Sequence, residues 1–241
     1  MGQEPMMIGI HTSRRHGVTA VAVLVALGAS LMVGCSSKKA APAASAHPPF
    51  SMQSACGHSF DAQGIAALRK ITGKKQLYPA LAAEERTVKQ VASALRADLD
   101  DTSDQKQLDL CLLGVVGGLV SSGLEITFQW WQRNPHDKSA GSEPDQTEYD
   151  LAYGASSFDN TSYLSFTCPL PGALASTSRA FYITAEADTM GLDAVGSAEK
   201  REAGVRLLYS PAVKVAAALG CQGSDLPPTL GTLKPLPMKK K

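Results

Sequence analysis

Sixteen residues, Val18 to Val33, carry no charge and little polarity, and Arg14 and Arg15 stand just before them. Basic residues, a short apolar run and then small residues are the layout of a secretory signal. A membrane span wants about 20 apolar residues, so the run is short for one. It is read as an address rather than as part of the fold. Arg14 and Arg15 are expected to stay inside, which places the bulk of the chain outside the cytoplasm whether or not the run is cleaved.

The run ends in Leu31-Met32-Val33-Gly34-Cys35. This resembles the lipobox of bacterial lipoproteins, with Met32 at the place where the family usually has Leu. The resemblance implies cleavage before Cys35, a diacylglyceryl group on the Cys35 sulfur, and residence on the extracytoplasmic face of the cell membrane. Two or more acyl chains anchor stably where one is marginal. Ser13-Arg14-Arg15 also resembles the start of a twin-arginine export signal, although Gly17-Val18 replaces the usual apolar pair. Met6 or Met7 is an alternative start.

Four segments follow from composition together with the cleavage before Cys35 that the lipobox resemblance implies. Residues 1–34 are the signal. Residues 35–55 are small, polar and Pro-containing, as expected of a lipid anchor and flexible tether. Residues 56–230 suit one extracytoplasmic domain. Residues 231–241 are a basic Pro-rich tail ending in three lysines, and the chain from Pro227 on is expected to be poorly ordered. With 44% hydrophobic residues the chain can form a core. A formal net charge of +1 argues against a broadly basic nucleic-acid binder. That balance hides a polarity. Between Lys39 and Lys234 there are 15 basic and 21 acidic residues, an acidic body between lysine-bearing ends.

Apolar spacing predicts a short helix through Phe60, Ile65, Leu68 and Ile71, stopped by Gly73, and a second from about Leu81 to Leu99. Leu108 to Leu113 reads as a strand or a buried helical turn, with nearby glycines favouring the strand. Leu124, Ile126, Phe128 and Trp130 alternate with Glu125, Thr127 and Gln129, the pattern of a strand with one buried face. Tyr149–Tyr153, Tyr163–Cys168 and Ala180–Ala187 repeat it more weakly. A last helix from about Ala198 to Leu219 should kink or restart at Ser210-Pro211 and end at Gly220. The class is α+β: an antiparallel sheet of about five strands, packed by N-terminal helices and a C-terminal helix.

Cys56, Cys111, Cys168 and Cys221 form an even set in an exported domain, where disulfides persist. Three pairings are possible. Cys56–Cys111 with Cys168–Cys221 is the expected one. The absence of C-x-x-C argues against zinc or thioredoxin-like chemistry.

Candidate chemistry is sparse. Asp98, Asp100, Asp104 and Asp109 fall at positions 1, 3, 7 and 12 of a calcium-loop register, with Thr102 at position 5. Ser103 stands where the turn glycine belongs, Lys106 is at position 9, and Asp109 replaces the longer Glu. Ser197-Ala-Glu-Lys200 matches S-x-x-K, but its K-T-G companion is missing and Ser36-Ser-Lys-Lys39 matches equally well. His47, His58 and His136 follow the signal, and nothing in the pattern makes a triad of them. Asn160-Thr-Ser162 is a glycosylation sequon, read here as a turn. Trp130 and Trp131 adjoin on the best strand, so alternation sends their rings to opposite faces. A ring left exposed there would contact a glycan, a lipid or a partner protein.

Phe166-Thr-Cys168 and Leu219-Gly-Cys221, added to the lipobox, resemble small cell-surface lipoproteins of high-GC Gram-positive bacteria. The resemblance implies a secreted α+β domain on a lipid tether. The leading expectation is a non-enzymatic envelope lipoprotein with no cofactor, binding the membrane through Cys35 and an envelope protein or polymer through its domain. A small-ligand or ion carrier or sensor, with a cavity between sheet and helix, is the alternative. A cell-wall enzyme ranks third.

Overall fold

A computed structural model describes residues 51–73, 76–79, 86–100, 105–115, 123–133, 146–158, 160–189, 191–192 and 198–237. The signal, Cys35 and most of the tether lie outside these residues.

The chain enters through α1 (Ala55–His58), one turn in which Cys56, Gly57 and His58 take φ of 52°, 61° and 60°. Helix α2 (Ala62–Thr72) starts where the Asp61 carboxylate accepts the Gly64 N–H at 2.7 Å. It stops at Gly73, as its sequence predicts, because φ of 62° there suits glycine. Helix α3 (Val88–Asp100) opens on a reciprocal cap: Thr87 N–H donates to the Gln90 side chain, and Gln90 N–H donates to Thr87 Oγ1. The cap starts the helix at Val88, later than the apolar spacing suggests; residues 81–85 lie outside the described set.

Among the described residues seven antiparallel strands form one sheet in the order β1-β2-β3-β7-β6-β5-β4. They are β1 (Leu77–Pro79), β2 (Leu108–Val115), β3 (Gly123–Gln132), β4 (Thr147–Tyr149), β5 (Gly154–Phe158), β6 (Thr161–Phe166) and β7 (Phe181–Asp188). The α+β class stands, with seven strands where about five were expected. The expected Tyr149–Tyr153 strand is instead the end of β4 and a bend through Ala152, whose φ is 50°. Strand β5, Gly-Ala-Ser-Ser-Phe, has almost no apolar residues to signal it, and its neighbours explain why. Ser157 and Ser162 face the helical layer and bond each other at 2.9 Å. A Cβ on Gly204 would lie 2.0 Å from Ser162 Oγ. Small residues are required there because helix α5 (Ala198–Leu219), which follows the short α4 (Ala175–Arg179) in the chain, presses against the sheet.

Helix α5 has the bounds the sequence predicts, but it runs through Pro211 as one helix. Ser210 does not cap a restarted segment. Its hydroxyl donates to the Ser59 carbonyl and accepts the Asp61 N–H, each at 2.9 Å, fastening α5 to the start of α2. At the C-terminus Gly220 takes φ of 76°. Gly220 N–H returns to Ala217 O and Cys221 N–H to Ala216 O, a complete Schellman cap. That cap fixes Cys221 beside the end of β6.

Both expected disulfides form, with Cα–Cα distances of 5.1 Å for Cys56–Cys111 and 4.8 Å for Cys168–Cys221. Such long loops contribute about 2–4 kcal/mol each by restricting the unfolded chain. They mark maturation in an oxidising compartment outside the cytoplasm. Among the described residues no helix is long and apolar enough to cross a membrane.

The helices cover one face of the sheet. Leu124, Ile126, Phe128 and Trp130 of β3 point into that core with Phe166, Ile183 and Ala185. Residues 220–237 are anchored rather than loose. Tyr209 Oη donates to Pro227 O, Leu230 and Leu233 are buried, and Pro235 pairs with Tyr149 on the free edge of β4. Asp150 N–H donates to Lys234 O and Leu236 N–H to Glu148 O. Pro235 thus occupies the position whose missing N–H this pairing does not need. The expectation of poor order from Pro227 on is therefore corrected as far as residue 237.

Candidate functional site: the outer face of the sheet

Alternation separates the two tryptophans. Trp130 is fully buried, and its Nε1–H donates to the Leu95 carbonyl of α3 at 2.8 Å. As a partner contact it is ruled out; it is a core residue. Trp131 lies on the opposite face and is 48% exposed. Its cross-strand neighbour is Tyr182 of β7. Tyr153, 42% exposed in the bend before β5, stacks on Tyr182 with ring centroids 4.6 Å apart. The Arg133 guanidinium lies 5.5 Å from the Tyr153 centroid, a cation–π arrangement. Backbone bonds hold Arg133 in place, its N–H to Ala180 O at 2.8 Å and its Nε–H to Phe181 O at 3.3 Å.

Two residues along β3 and β7 the chemistry becomes neutral. Gln129 Nε2 donates to Gln105 O at 3.0 Å, and Thr184 bonds Ser165 at 2.9 Å. Beyond that row it becomes acidic. Glu186 faces Thr127 on one side and Tyr163 on the other, and Glu125 faces Asp188. Burial, followed by the charges of Asp109 and Asp188, holds the Glu125 carboxyl above its usual pKa. Burial, followed by Asp188 and Glu125, does the same to Glu186, and a hydrogen bond from the Tyr163 hydroxyl partly offsets it. Burial and the charges of Glu186 and Asp188 push the Tyr163 phenol up in turn.

The other sequence candidates scatter. Asp98 sits within α3 and its carboxylate receives the Lys106 N–H, whereas Asp109 lies in β2. Asp100 is exposed at the end of α3, and Asp104 lies outside the described residues. Among the described residues no group of three or more His, Cys, Asp or Glu side chains is placed to hold a metal. The calcium register is thus divided between helix and strand. His58 is exposed, with its carbonyl taken by Lys214 Nζ at 2.8 Å. His47, His136 and Ser197 lie outside the described residues. Asn160 forms the expected turn, its carbonyl accepting the Thr189 N–H and hydroxyl. A shallow depression of about 250 Å³ lies between α2 and α5, not between sheet and helix. Lys70–Glu199 and Arg206–Glu202 pairs, at 3.3 and 2.7 Å, stand along it.

Sequence reasoning misses Tyr153, Tyr182, Arg133, Glu125, Glu186 and Asp188 as site residues. The alternation of Phe-Tyr-Ile-Thr-Ala-Glu-Ala-Asp in β7 is the available signal, since it puts Tyr182, Thr184, Glu186 and Asp188 on one face. Comparison with family models, with curated proteins and with solved structures returns no match to this chain.

Proposed function

We propose that this protein is a non-enzymatic, lipid-anchored envelope protein that docks a protein partner on the outer face of its sheet. The observation that carries the proposal is the cluster of exposed Trp131 and Tyr153 with half-buried Tyr182 and Arg133. Trp, Tyr and Arg are the residue types that concentrate binding energy at protein interfaces. A monomer gains little by exposing them together. The anchor through Cys35 rests on the lipobox, and the two disulfides are consistent with an extracytoplasmic address.

The test is a photo-crosslinking residue at position 131 in intact cells, with the same residue at position 70, on the helical side, as control. Position 131 should yield a discrete protein adduct that position 70 does not. Equal labelling at both positions, or lipid adducts alone, would refute partner docking at this face.

A further inference from the structure

We infer that the partner presents a cationic polypeptide segment, laid along β3 and β7 with an apolar or aromatic end on Trp131 and its basic side chains over Glu125 and Glu186. This deepens the proposed function and rests on it.

Two observations fix the chemistry. The first is the charge pattern of the face. Asp109 on β2, Glu125 on β3, and Glu186 and Asp188 on β7 share one surface, and the nearest titrating neighbour on β6 is the Tyr163 phenol. Carboxylates sharing one surface repel one another, which adds to burial in raising Glu125 and Glu186, and a bound cation relieves that repulsion. Steps of two residues along a strand are about 6.8 Å. Six residues separate Trp131 from Glu125, so the aromatic and acidic ends stand about 20 Å apart. A short extended peptide has that length and the same repeat.

The second is the state of the rings. A sugar ring would need open aromatic faces to lie on. Tyr153 already has Tyr182 stacked on it and the Arg133 guanidinium over it. Trp131 remains, a single ring on a face where the Gln129 amide already donates to the Gln105 carbonyl and the Ser165 and Thr184 hydroxyls already bond each other. Ring edges, a guanidinium and carboxylates suit a peptide better than a glycan.

The test uses the full chain in detergent with three probes: hexalysine, hexaglutamate and a four-residue glucosamine oligomer. Calorimetry gives affinity, and the fluorescence of exposed Trp131 reports occupancy. Hexalysine should bind, more weakly as salt is added, while hexaglutamate does not. Glu125→Gln with Glu186→Gln should weaken hexalysine at least about tenfold. Glu199→Gln with Glu202→Gln, on the helical side, should leave it unchanged. Glu125→Lys with Glu186→Lys, which leaves two lysines balanced against Asp109 and Asp188, should abolish hexalysine binding. Equal binding of hexalysine and hexaglutamate, or full affinity in the neutralised variant, overturns the inference. Tighter binding of the glucosamine oligomer than of hexalysine also overturns it. Either result leaves the position-131 crosslink to decide partner docking on its own.

Discussion

Strand β3 is two surfaces on one backbone. Toward the helices it offers Leu124, Ile126, Phe128 and Trp130, all fully buried. Away from them it offers Glu125, Thr127, Gln129 and Trp131, graded from acidic to aromatic. The residues are immediate neighbours, so propensity and position in the chain are shared. Only the direction of the side chain differs. Inward residues are under the demands of packing density, where volume decides stability. Outward residues meet weaker demands of packing, and the proposed docking gives the chemical gradient among them a use.

Replacing Trp130 with Ala should break the comparison hardest. It removes a buried ring and its bond to Leu95, and a loss of about 3–5 kcal/mol is expected in denaturant unfolding. Trp131→Ala, one residue on, should stay within about 0.5 kcal/mol of the parent. Similar losses in the two variants would show that the outer face also carries the fold.

A smaller effect is expected on the inner side at Gly204. The Gly204→Ala methyl would meet Ser162 Oγ, and overpacking of this kind costs about 1–3 kcal/mol. Ser162→Gly in the same chain should recover part of the loss. A stable Gly204→Ala variant with no need of rescue would mean that α5 rides less tightly on β6 than described.

The smallest effect belongs to the outer carboxylates and is seen as a pH dependence. Both Glu125 and Glu186 hold their protons more firmly in the folded chain than at the usual 4.5. Their ionisation therefore destabilises the fold above the folded pKa, and the penalty fades as pH falls through it. The Glu125→Gln, Glu186→Gln variant should be the more stable protein at neutral pH, and its advantage should close as pH approaches 4.5. An advantage that persists in acid would locate the effect in packing rather than charge.

The sequence is most legible where one local signal decides the outcome. Gly73 and Gly220 end α2 and α5 because each must take a positive φ that other residues resist. Alternation in β3 is enough by itself to send Trp131 outward. Legibility fails where a residue is chosen by a distant neighbour. Ser157 in β5 makes sense only once α5 is seen to press Gly204 into the space beside it, and a run of small polar residues otherwise reads as a turn. The three-residue β1 is too short to stand out from its surroundings. Tyr153, Tyr182 and Arg133 are brought together by strand pairing and by the bend at Ala152, so no spacing along the chain announces them. Leu233 stands among prolines and lysines and reads as tail, although its burial makes it part of the core.

The pairing of Pro235 with β4 has a consequence for molecules that are crowded together. A sheet grows by recruiting another chain to the unpaired amides along its rim. Here one rim is the short β1, which ends in Pro79, and the other is the segment Lys234-Pro235-Leu236-Pro237. Proline has no amide hydrogen to offer an incoming strand, so neither rim is a good template for stacking copies into a ribbon. Confinement to a bilayer would multiply encounters between neighbours many times over bulk solution. Copies that meet often, as crowding demands, would find little at these rims to join.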